Sequence, residues 1–77
     1  MSINEMLEEL VKIGFSIKLI CKHTAISEHK IKHMRQGRYA RFTYAEIEAF
    51  NHYYDKCKAL QNVYGDKLAE YISQNEK

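Results

Sequence analysis

The sequence predicts an all-α domain of four or five helices. Three observations carry that expectation. Proline is absent and glycine occurs only at positions 14, 37 and 65, so breakers are few and far apart. Apolar residues recur at intervals of three and four and nowhere alternate convincingly over the length of a strand. Ser or Thr stands ahead of the apolar runs, twice with Glu three residues later, a pairing that satisfies free N–H groups at a helix start.

The first helix starts behind Ser2, with Glu5 completing a capping box. Ile3, Met6, Leu7, Leu10 and Val11 share one face, and Glu5, Glu8, Glu9 and Lys12 fill the other. Gly14 follows the last turn, where a left-handed cap favours glycine. Ser16 caps a second helix that buries Ile17, Ile20 and Cys21, exposes Lys18 and Lys22, and ends near His23 and Thr24. Thr24, Ala25 and Ile26 form a short turn. Ser27 caps a third helix, with Glu28 in its first turn to oppose the positive end of the helix dipole. Ile31 and Met34 are its core residues, and Gly37 stops it. Arg38 to Phe42 read as a basic loop. Thr43 and Glu46 make a second capping box, and no breaker follows Tyr44 until Gly65, so a long helix of roughly 20 residues is expected. Asp66 is placed to cap a last short helix from Lys67 to about Ser73, and the final few residues should fray.

Seventy-seven residues make one domain. A domain this small buries only about 60% of the surface its unfolded chain exposes, so oligomerisation is a natural source of extra stability. No run of about 18 apolar residues is present to cross a membrane, and the acidic start, Met1 to Glu9, does not read as a secretory signal. Two cysteines, Cys21 and Cys57, are too few for a disulfide framework and form no Cys-x-x-Cys pair, which fits a reducing cytoplasm. Charge is segregated. Between Phe15 and Thr43 seven basic residues meet one acid, Glu28, leaving +6; the remainder has five basic and nine acidic residues, leaving −4, for a total of +2. A basic middle third on an acidic protein is the footprint of a polyanion-binding surface.

That basic third contains the most informative pattern. Two short helices around a tight turn need a small residue where they cross, and Cys21 supplies it. Ala25 stands in the turn where glycine is common, Ile26 points inward to lock it, and Ile31 and Met34 pack the second helix on the first. Ile20, Cys21, Ala25, Ile26, Ile31 and Met34, set in Ser16 to Gly37 and followed by Arg38 and Arg41, resemble the helix-turn-helix of the lambdoid phage repressor and Cro family. The likeness covers about residues 1–50 and departs from the family in Cys21 and Ala25, where alanine and glycine are usual. It implies a repressor-like core over 1–53 and a helical tail over 54–77, of phage or bacterial origin. It also implies that Ser27 to Gln36 is a recognition helix entering the major groove of double-stranded DNA.

The residues support that reading independently. With Ile31 and Met34 setting the buried direction at 100° per residue, His29, Lys32, His33 and Gln36 face away, flanked by Glu28 and Lys30. Lys donates to guanine, Gln pairs with adenine and Glu accepts from cytosine. Glu28, His29, Lys32, His33 and Gln36 are therefore the candidate base contacts, and Lys18, Ser27, Lys30, Arg38 and Arg41 the candidate phosphate contacts. His29 and His33 also have a zinc-ligand spacing, but no further ligand completes a site, so no metal is expected. With no Gly-rich phosphate loop and no nucleophile set, neither enzymatic activity, nor a cofactor, nor a small-molecule substrate is read from the chain.

One helix-turn-helix reads few base pairs, so a homodimer on a palindromic operator is expected. Ile47, Phe50, Tyr54, Cys57, Gln61, Tyr64, Leu68 and Tyr71 are spaced 3, 4, 3, 4, 3, 4 and 3, a heptad seam. Its early part should pack on the core, and Cys57, Tyr64, Leu68 and Tyr71 are the candidate dimer interface. The alternative is that Tyr64, Leu68 and Tyr71 fold back on the first helix, with Gly65 as the bend. A different class of function also fits the pattern. The chain would then be a small helix-turn-helix protein that binds and inhibits a host or defence enzyme, using its Tyr-rich tail at the interface.

Overall fold

In a computed structural model, which describes residues 2–38 and 40–75, Ser2, Ser16, Ser27 and Thr43 each stand immediately before a helix, whereas Asp66 caps none. The described residues form five α-helices, α1 (Ile3–Ile13), α2 (Ile17–Thr24), α3 (Glu28–Arg35), α4 (Tyr44–Tyr64) and α5 (Leu68–Asn75), with one 3-10 turn, Gly65–Lys67, between the last two. The fold is all-α. Of the final residues expected to fray, Gln74 and Asn75 instead continue α5, and Glu76 and Lys77 lie outside the described residues.

Local hydrogen bonds explain the boundaries. Ser2 Oγ accepts from Glu5 N–H at 3.2 Å while the Glu5 carboxylate accepts from Ser2 N–H, and Thr43 and Glu46 repeat this box ahead of α4. Ser16 and Ser27 cap α2 and α3 by accepting from Leu19 and Lys30 N–H. Gly14 closes α1 at φ 130°, a conformation that a side chain strains. Gln36 caps α3 one residue before Gly37.

Packing follows from α4. Twenty-one residues at 1.5 Å per residue give a rod of about 32 Å, which sets the molecule's 35 Å long dimension. α1, α2 and α5 pack on it, and α3 packs on α2. Leu7, Leu10, Ile20, Ile31 and Phe50 are fully enclosed, joined by Met6, Phe15, Cys21, Ile26 and Tyr53. Thr24, a buried polar residue, is satisfied because its hydroxyl donates to the Ile20 carbonyl at 2.8 Å.

The tail departs from the heptad expectation. α5 folds back so that Leu68 and Ile72 enter the same core as Leu7 and Phe50. A methyl on Gly14 would stand 3.7 Å from Ile72 Cδ1 and 3.8 Å from Ala69 Cβ, ordinary van der Waals distances that place α5 beside the end of α1. Cys57 and Leu68 are thus spent inside one chain and are not on an exposed seam. The physical reason is the small size of the domain: α1 has an apolar face to cover, and the tail is the nearest apolar surface. Ile47, expected to pack on the core, is 39% exposed and lies outside the core cluster, whereas Phe50 is fully enclosed. Asp66 lies within the 3-10 turn.

Candidate nucleic-acid interface

The centre of the candidate site is the α2–turn–α3 unit. Three residues, Ala25 to Ser27, connect the helices, within the range of a helix-turn-helix turn. Ala25 takes the left-handed conformation, φ 60° and ψ 24°, and is the one described non-glycine residue with positive φ. That sharp reversal swings Ile26 into the core, where it is 2% exposed. Cys21 is buried at the crossing, and burial pushes its thiol's pKa up, so it stays a protonated packing group.

With Ile31 anchored inward, α3 presents its opposite side to solvent. Glu28, His29, Lys32 and Gln36 are exposed, and His33 is half-buried with its ring 4.1 Å from that of His29. Among the described residues Lys32 makes no ion pair, and neither do Lys18, Arg38 and Arg41, all exposed. Ser27 is exposed, and accepting from Lys30 N–H leaves its hydroxyl hydrogen free to donate. No group of three His, Cys, Asp or Glu side chains suited to a metal occurs among the described residues.

Lys30 differs from the other candidate phosphate contacts. Its ammonium donates to both Glu46 oxygens, at 2.9 and 3.1 Å, and sits 5.4 Å from the centre of the Phe42 ring. Glu46 also receives Thr43 N–H at 2.8 Å. The Thr43 and Lys30 hydrogen bonds hold the Glu46 carboxyl below the usual carboxylate range. Lys30 therefore ties α3 to the start of α4, and its charge is already answered. Arg35 is likewise bound, to Glu8 on α1, through an exposed pair.

Several residues of this architecture had no signal in the sequence. Glu9 accepts from the Tyr54 hydroxyl at 2.6 Å and from Lys58 at 2.9 Å, joining α1 to α4 across 45 and 49 positions of chain. Tyr53 meets Phe15 edge-on and stacks on His23 at 5.3 Å. Such long-range polar pairs leave no periodicity to read. Comparison with family models, with curated proteins and with solved structures finds no match for the chain.

Proposed function

We propose that the chain is a sequence-specific DNA-binding transcriptional regulator, a repressor that acts as a dimer on a palindromic operator. The observation that carries this reading is the solvent face of α3. It holds hydrogen-bonding side chains with no aliphatic residue among them, and its lysine is left unneutralised by the protein. A face of that kind offers donors and acceptors to base edges. Lys18, Arg38 and Arg41, exposed on either side in sequence, would hold phosphates. Repression would follow from occupancy, since a bound dimer excludes polymerase from the same DNA.

The test is selection of genomic fragments on the purified chain, followed by anisotropy titrations on the best fragment. Gln36→Ala and His29→Ala should each weaken that fragment by about 1–3 kcal/mol while leaving random DNA unaffected. Arg41→Ala should weaken all sequences alike and reduce the slope of log affinity against log salt by about one. If no fragment is enriched over random DNA and the chain instead co-purifies with an enzyme it inhibits, the protein-inhibitor reading replaces this one. The exposed Tyr44, Ile47, Val63 and Tyr64 give a protein partner something to bind.

A further inference from the structure

One concavity lies away from α3, between α2, α4 and α5. It is a cleft of about 280 Å³. Its walls are apolar, with Phe15 ahead of α2, Leu60 on α4 and Ile72 on α5. Lys22, His23 and Lys56 also line it, with no carboxylate among the described residues that do. Lys22 and Lys56 make no ion pair among the described residues. His23 lies parallel to Tyr53 at 12°, so one side of the cleft is a flat aromatic surface.

These features constrain an occupant. The volume falls just under the roughly 300–1,000 Å³ of drug-sized sites, which suits a body of one or two rings. The apolar walls and the stacked His23–Tyr53 pair favour a flat hydrocarbon over a polar molecule. Two unneutralised ammonium groups on a protein whose other lysines include two already paired with glutamates favour an anion. A hydrocarbon ring with one acidic group satisfies all three conditions.

We propose that this cleft binds a small aromatic carboxylate, with its ring between Phe15, Leu60 and Ile72 and its carboxylate toward Lys22 and Lys56. Occupancy would bridge α2 and α5, joining the helix-turn-helix to the folded-back tail.

The experiment is an NMR titration of the full chain, methyl-labelled, with 1-naphthoate and with its neutral analogue 1-naphthamide. Naphthoate should produce saturable shifts at the Leu19, Leu60 and Ile72 methyls, with a dissociation constant below about 1 mM. Naphthamide should bind at least about tenfold more weakly. A Lys22→Gln, Lys56→Gln double variant, with both changes on exposed side chains, should bind naphthoate no better than the parent binds naphthamide. Absence of saturable shifts at these methyls would overturn the proposal. So would equal affinity for acid and amide, or an undiminished affinity in the folded double variant. Cleft shifts that change with protein concentration before any ligand is added would make the occupant a second copy of the chain, and the proposal would fail.

Discussion

Ala25 holds a left-handed backbone at φ 60° and ψ 24°, which costs an L-residue with a Cβ about 1–2 kcal/mol. Glycine there would avoid that cost but enlarge the unfolded ensemble, a loss of about 0.4–1 kcal/mol. The first effect exceeds the second. Ala25→Gly should therefore stabilise the fold by roughly 0.5–1 kcal/mol and raise the melting temperature by a few degrees. A lower melting temperature would mean that the Ala25 methyl makes packing contacts worth more than the strain. The same scale shows what a sequence exposes and what it hides. Ser2, Ser16, Ser27 and Thr43 were legible as caps because each acts on an N–H three residues away. The pairing of Lys30 was not legible because its partner, Glu46, is sixteen residues distant on another helix. Nothing in the pattern around Lys30 distinguishes it from Lys32.

Between elements, the polar link from α1 to α4 has a definite pH dependence. The Tyr54 hydroxyl, and then Lys58, hold the Glu9 carboxyl below the usual carboxylate range. The hydrogen bond to Glu9 in turn pushes Tyr54 up to about 12. A depressed carboxylate contributes stability above its ordinary range and loses it as pH falls through the lowered value. A raised phenol contributes below its ordinary value and loses that contribution as pH rises toward 12. Glu9→Gln should thus be less stable than the parent through the neutral range, by urea denaturation. The gap should shrink in acid below about pH 4 and in alkali above about pH 11. A gap that stays constant across that span would assign Glu9's contribution to packing alone. The elements themselves were readable because each helix keeps one apolar face, and α1 to α4 begin and end within a residue or two of their signals. The direction of α5 was not. A 3-4 spacing through Cys57, Tyr64 and Leu68 describes a stripe on any continuous helix, whereas the 3-10 turn at Gly65–Lys67 breaks the rod and redirects the stripe onto the chain's own core.

At the scale of the whole molecule, two copies have to cooperate if an operator is to be read. Recognition helices on a palindrome lie about 34 Å apart, close to the 35 Å length of one molecule. Two chains joined end to end at their tails would place their α3 helices too far apart, so such a dimer must splay its α4 helices in a V. With Cys57 and Leu68 inside the core, the surface available at that end is Val63, 77% exposed, beside Tyr64, which stacks on Tyr71 at 4.5 Å. The opposite end of α4 also exposes apolar side chains, Tyr44 and Ile47. The tail is the better candidate, because α4 begins next to α3 through the Lys30–Glu46 pair, and an interface there would crowd the two α3 helices. Val63→Glu places a charge on an exposed position and should leave the helix content intact. In sedimentation it should turn a dimer into a monomer, and operator affinity should fall by at least about tenfold, as expected when one half-site must bind without its neighbour. Tyr44→Glu should leave the dimer intact. If Tyr44→Glu dissociates it and Val63→Glu does not, the interface is at the other end of α4. If the parent is a monomer at concentrations that saturate its selected DNA, the palindromic-operator reading fails, and each chain binds its site alone.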